Sequence, residues 1–164
     1  MPRPPRIHVE NGVWHVTQRA TDSEAFFRSP DDCRAFLAIL DVVSRWARWN
    51  LVDYCLMMNH LHLVVQTPLA TLPTGMRRLM GTWVEEFNER YERRGALVQG
   101  RYKAHLVDTD DYWENCLQYV AYNPVTAGLC ERAEDYPWSS YARRNNPSLA
   151  DVWGPGPATS LLDG

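Results

Sequence analysis

Nothing in this chain of 164 residues approaches the run of roughly 18 apolar residues that a membrane span requires. The Arg/Pro-rich start Met1-Pro2-Arg3-Pro4-Pro5-Arg6 has no apolar segment of the kind a secretory signal needs. These two absences predict a soluble, cytoplasmic protein. No C-x-x-C pair occurs among Cys33, Cys55, Cys116 and Cys130, so neither a zinc knuckle nor a disulfide framework is indicated. They read as reduced, buried thiols. A basic balance is missing too: the formal charge of −3 argues against a nucleic-acid partner until its distribution is considered. Up to Val107 there are 14 Lys+Arg against 11 Asp+Glu, a net of +3, and the remainder carries 3 against 9, a net of −6. A basic face can therefore exist on the first two-thirds. With 45% hydrophobic and 23% charged residues, the chain fits one globular domain with a real core.

Val13-Trp14-His15-Val16-Thr17-Gln18-Arg19 is dense in β-branched and aromatic residues and reads as the first strand. Ser29-Pro30-Asp31-Asp32 is a helix start, with Ser29 as N-cap and two acids in the first turn, and Cys33, Phe36, Leu37, Leu40, Val43 and Ala47 follow at helical spacing. Two β-like runs, 51–58 and 61–66, are separated by Asn59-His60 and form an antiparallel pair. A second helix is predicted over 71–94 with Gly95 as its stop, a short strand over 104–107, and a third helix starting at Asp110 or Asp111 that Asn123-Pro124 and Gly128 end. The order βαββαβ plus a helix is the split βαβ, ferredoxin-like pattern: an α+β fold whose four-stranded antiparallel sheet carries two helices on one face, with the added helix free to approach the other. The domain is expected over residues 5–142, and the breaker-rich 143–164 as a flexible tail.

Within Met58-Asn59-His60-Leu61-His62-Leu63-Val64-Val65, alternation along a strand points His60 and His62 to one face and Leu61, Leu63 and Val65 to the other. By itself an H-x-H pair is common by chance. A second element strengthens it: in Tyr119-Val120-Ala121-Tyr122-Asn123-Pro124, Tyr119 and Asn123 are four residues apart and meet on one side of a helix. A phenol is a poor nucleophile near neutral pH, so a nearby divalent cation helps by orienting a phosphate and neutralising its charge. His60, His62 and Asn123 make a mixed nitrogen and oxygen set compatible with Mg²⁺ or Mn²⁺. Arg77, Arg78, Arg90, Arg93, Arg94, Arg101 and Lys103 can grip phosphates, and Trp14, Tyr102 and Trp138 can stack on bases or simply pack. The basic, aromatic segment 99–103 is the best of these, since Glu85, Glu86, Glu89 and Glu92 interleave with the helix arginines. His15 and His105 read as structural, and neither is assigned to the metal.

Several phrases in order, Trp14-His15-Val16-Thr17-Gln18-Arg19, the H-x-H pair, Gln99-Gly100-Arg101-Tyr102-Lys103, Tyr122-Asn123-Pro124-Val125-Thr126-Ala127-Gly128-Leu129 and Tyr136-Pro137-Trp138-Ser139-Ser140-Tyr141, resemble the single-tyrosine HUH transposases. Within that class they are most similar to the REP-associated tyrosine transposases, over roughly residues 5–142. The resemblance implies metal-dependent nicking and rejoining of single-stranded DNA beside an imperfect hairpin, by a monomer or homodimer. Tyr119 would form a 5′-phosphotyrosine and release a 3′-OH, His60 and His62 would hold the metal, and Asn123 would stand where the family places a polar third ligand. No nucleotide cofactor is implied. N-terminal residues help read a short guide sequence in the family, which makes Arg3 and Arg6 candidates. Two other readings keep the same residues: a domesticated, RRM-like module that binds hairpins of repetitive palindromic elements without cleaving, and a metallohydrolase using a metal-bound water.

Overall fold

The computed structural model describes residues 9–22 and 24–160. Four strands, β1 (Gly12–Arg19), β2 (Asn50–Leu56), β3 (His60–Thr67) and β4 (Lys103–Leu106), form one antiparallel sheet in the order β2-β3-β1-β4. Helices α1 (Pro30–Trp46) and α2 (Leu72–Arg90) pack side by side on one face, and α3 (Asp110–Thr126) crosses the other. This is the expected α+β, split βαβ arrangement with β1 and the histidine-bearing β3 at its centre. Among the described residues no helix is long and apolar enough to cross a membrane.

The period-2 pattern of the central strands builds both faces. Trp14 and Val16 of β1, with Leu61, Leu63 and Val65 of β3, enter the core beneath α1 and α2. There they meet Phe36, Leu37, Leu40, Leu79, Trp83 and Phe87, all with no exposed surface. At the start of α1 the Ser29 hydroxyl accepts the Asp32 N–H at 3.3 Å, as the cap pattern predicts. Asp32 itself is fully buried and accepts from Arg90 (2.6 Å), the Tyr91 hydroxyl (2.6 Å) and the Arg28 N–H (2.7 Å), which ties the start of α1 to the end of α2. Its charge is tolerated there because every contact is a donor. The opposite face has a smaller core, in which Cys116 and Val120 of α3 pack on Val52, Cys55, Met57 and Val64. A register shift between Leu51 and Asp53 restores the alternation of β2 after Val52.

Three boundaries differ from expectation. Helix α2 ends at Arg90, before Gly95, because Glu92 takes a left-handed conformation (φ 49°) and the Arg93 guanidinium satisfies the Asn88 side chain and the Gly95 and Ala96 carbonyls. Helix α3 runs through Pro124: the proline forfeits one N–H, the Ala127 N–H still reaches the Asn123 carbonyl at 3.0 Å, and Gly128 (φ 76°) follows the end. Residues 143–160 pack against the body and do not hang as a tail. The region 136–153 includes α4 (Ser140–Asn145) and α5 (Ala150–Trp153), and its backbone at Trp138 and Ser139 covers the free edge of β2. Trp153 is buried, Arg34 donates to the Val152 carbonyl at 2.7 Å, and the Ser160 N–H bonds the Leu51 carbonyl at 3.0 Å. The asparagines, prolines and glycines that suggested disorder supply the turns of this return path. All four cysteines are free thiols, three of them buried, as expected.

Gly75 of α2 faces the Trp49 indole so closely that an added Cβ would lie 2.1 Å from the ring. Gly75→Ala is therefore expected to lose about 1–3 kcal/mol in urea unfolding. Gly81→Ala, with nothing within 4 Å, serves as the matched control and should be neutral or stabilised by up to about 1 kcal/mol. Equal behaviour of the two variants would contradict the packing described.

Candidate active site

On the α3 side of the sheet the central strands change character along their length. Val13 of β1 and Val64 of β3 pack under α3, while His15, Thr17, Arg19, His60 and His62 extend beyond it. Register fixes their neighbours: Thr17 lies opposite His62, Arg19 opposite His60, and His105 of β4 opposite His15. They line a cleft of about 540 Å³ that Gln99, Arg101, Lys103 and Tyr119 complete.

His62 is 3% exposed. Burial, reinforced by His15, His60 and Arg19, pushes its pKa down to about 3, so the ring is neutral at physiological pH. Its Nδ1 lies 3.0 Å from His15 Nε2, and its Nε2 is buried with no hydrogen-bond partner among the described residues. His60 is also held below the ordinary histidine range, chiefly by burial and further by Arg19, against an opposing contribution from Asn123. A neutral imidazole has one N–H. The shorter contact, 2.8 Å from Nδ1 to Asn59 Oδ1, assigns the proton to Nδ1. With the proton assigned there, His60 Nε2 presents a lone pair toward the Asn123 side-chain amide, whose Oδ1 lies 3.3 Å away.

A cation held at this point would take the His60 Nε2 lone pair and would also satisfy the orphaned His62 Nε2. No group of three His, Cys, Asp or Glu able to hold a metal occurs among the described residues. The fitting donor set is two neutral imidazoles and one amide oxygen, which suits a hard divalent ion that keeps water or phosphate in its remaining positions.

Tyr119, 56% exposed, sets its ring edge-on to His62 (centroids 5.5 Å apart) and to His15 (6.0 Å). Because α3 continues through Pro124, Tyr119 and Asn123 stay one helical turn apart and reach the same end of the cleft. A phenol, two metal-capable imidazoles and an amide oxygen thus meet in one solvent-accessible place.

The other anticipated residues divide. Arg101 and Lys103 line the cleft, while Arg77 and Tyr102, with Arg101 again, line a second groove of about 210 Å³ beside α2. Arg78 stacks over Trp46 at 4.3 Å. Arg90 pairs with Asp32, and Arg93 with Glu24 at 2.9 Å, so both are structural cations. Trp14 belongs to the core and Trp138 packs against it. Arg3 and Arg6 lie outside the described residues. The sequence reading assigned no site role to four cleft residues, His15, Arg19, Thr17 and His105, whereas Gln99 belongs to the 99–103 segment singled out above. The alternation His15-x-Thr17-x-Arg19 was a usable signal for the first two, since it repeats on β1 the same-face logic applied to His60 and His62.

Arg19, Arg101 and Lys103 make no side-chain ion pair among the described residues, and no Asp or Glu lines the cleft. The site is therefore an anion-attracting depression on a chain of net charge −3.

A family model described as "Transposase IS200 like" matches residues 8–123. A Haemophilus influenzae protein named provisionally as a REP-associated tyrosine transposase is 30% identical over 121 residues, 66% of this chain and 69% of the relative. Two solved structures share the fold. One, a REP-associated tyrosine transposase bound to a REP hairpin, matches with a TM-score of 0.75 at 17% identity over 100% of this chain and 95% of its own. The other, a provisionally named transposase from Deinococcus radiodurans, gives 0.51 at 16% identity over 73% of this chain and 95% of its own.

The His62 environment has a consequence for stability. In the unfolded chain its imidazole takes up a proton near pH 6.5, whereas the folded site resists until about 3. Between those values the unfolded state binds more protons, so stability is full above pH 6.5 and is lost on acidification. In chelator, denaturant titrations of His62→Gln should show a shallower loss than wild type, by up to about 1.4 kcal/mol per pH unit. Identical slopes would contradict a buried, neutral His62.

Proposed function

The chain belongs to the IS200-like transposase family, and on that premise we propose that it nicks and rejoins single-stranded DNA beside hairpins through a covalent link to Tyr119. The observation that carries this reading is the meeting of Tyr119, His60, His62 and Asn123 at one cleft lined by cations and, among the described residues, free of carboxylates. The similarity to a transposase bound to a REP hairpin supports a hairpin of the same kind as substrate.

In the proposed step the Tyr119 hydroxyl loses its proton as Oη attacks phosphorus. The Oη–P bond forms, the P–O3′ bond breaks, and the departing 3′ oxygen takes up a proton. The product is a 5′-phosphotyrosine and a free 3′-OH. One phosphodiester is exchanged for another, so the reverse attack by a 3′-OH reseals the strand without a nucleotide cofactor. His60, His62 and Asn123 would hold Mg²⁺ or Mn²⁺, whose contribution when bound is to neutralise charge at the phosphate. Arg19, whose guanidinium has no ion-pair partner among the described residues, steadies the non-bridging oxygens, and Arg101 and Lys103 lead the backbone into the cleft. Arg101 lines both grooves, which favours a strand that continues toward Arg77.

The test is incubation with end-labelled single-stranded hairpin DNA and Mg²⁺ or Mn²⁺, read on a denaturing gel. Wild type should form a metal-dependent protein-linked fragment, and Tyr119→Phe should form none while still binding DNA. Binding without an adduct under any metal would point to a non-catalytic hairpin-binding protein; cleavage that persists in Tyr119→Phe would point to a metal-activated water. Single-turnover rates should also fall about 10²-fold in Arg19→Ala. A rate within twofold of wild type would remove Arg19 from the proposed step.

A further inference from the structure

We propose that His15 is a positioning residue that holds His62 in the Nδ1–H tautomer, so that the His62 Nε2 lone pair faces the cleft. The inference rests on the metal site proposed above and adds a residue to its support. The two rings are nearly parallel, at 21°, with centroids 5.2 Å apart and the facing nitrogens 3.0 Å apart. That centroid separation is only slightly less than the N···N distance plus two ring radii, the largest value the contact allows. The imidazoles therefore lie almost end to end, in line for an N–H···N hydrogen bond, and are not stacked face to face.

One proton occupies that contact, and its owner decides what His62 can do. If His15 Nε2–H donated, His62 would carry its own proton on Nε2, a buried N–H with no acceptor among the described residues and no capacity to ligate. If His62 Nδ1–H donates to His15 Nε2, the buried Nε2 keeps its lone pair beside the His60 ring, whose centroid lies 5.1 Å from that of His62 and whose own Nε2 lies 3.3 Å from Asn123 Oδ1. Metal-binding histidines are commonly oriented in this way, by an acceptor for the second ring nitrogen. Here the acceptor is an imidazole, placed by the pairing of β1 with β3: Thr17 is opposite His62, which makes His15 its diagonal neighbour on the same face.

The experiment joins a tautomer reading to a metal titration. Long-range ¹H–¹⁵N correlation spectra of metal-free wild type should show His62 as Nδ1–H. Titration with Mn²⁺ should give an affinity that His62→Ala abolishes. His15→Leu, which removes the acceptor, should weaken Mn²⁺ by about 10–100-fold. His15→Gln, whose Oε1 can still accept, should keep most of it. A wild-type His62 in the Nε2–H form, or unchanged Mn²⁺ affinity in His15→Leu while His62→Ala is impaired, would overturn the role of His15 alone. Absence of Mn²⁺ binding by wild type would overturn the metal site and this role with it, even though the tautomer spectrum would still report the hydrogen bond.

Discussion

The pairing of β1 with β3 at the centre of the sheet is the constraint from which the site follows. Its register sets Thr17 against His62 and Arg19 against His60, and one residue of slippage by β3 would turn both of its imidazoles into the core beneath α1 and α2. That slip is opposed by Trp14, Val16, Leu61, Leu63 and Val65, which fill the inner face and cannot be exchanged for polar groups without exposing a large apolar surface. The same alternation that builds the core thus holds the histidines rigidly on the other side. Helix α3 buries only the Val13 and Val64 end of that side, which leaves the polar end open and delivers Tyr119 and Asn123 to its margin.

Electrostatics then distinguishes this end from the rest of the molecule. Several arginines on or next to the helices are spent on neighbouring acids: Arg90 on Asp32 and Glu86, Arg93 and Arg28 on Glu24, Arg45 on Asp41. Among the described residues Arg19, Arg101 and Lys103 have no such partner, and they share a cleft with neutral histidines. An overall charge of −3 is therefore compatible with binding a polyanion, because the charges that matter are those left uncompensated at the cleft. Neutral imidazoles also suit that place, since lone pairs and not positive charge are what a metal requires of them.

Much of this was legible in the sequence. The period-2 runs, the Ser29 cap and the helical stripes predicted each main element in order, and the spacings His60-x-His62 and Tyr119 to Asn123 specified which side chains share a face. What escaped depends on contacts between distant segments. The bond between His15 and His62 joins residues 47 apart and exists only through strand register. Arg90 and Arg93 look like any exposed helix cations until the fold brings Asp32 and Glu24 to them. Pro124 signals a helix end locally, yet α3 outlasts it because the following turn keeps its own hydrogen bonds and the proline itself is buried. The polar, breaker-rich C-terminal region gains its order from one buried tryptophan, Trp153, and from backbone bonds to the β2 edge that no local pattern announces.

The central claim is that Tyr119 is the atom source of a covalent DNA link, and the identity of the linked residue tests it most directly. After reaction with single-stranded hairpin DNA and Mn²⁺, nuclease trimming, proteolysis and tandem mass spectrometry should locate a nucleotide phosphate on the Tyr119 side chain. A phosphate found on Tyr122 or Tyr141, or a cleaved strand ending in a free 5′-phosphate with no linked peptide, would contradict the account.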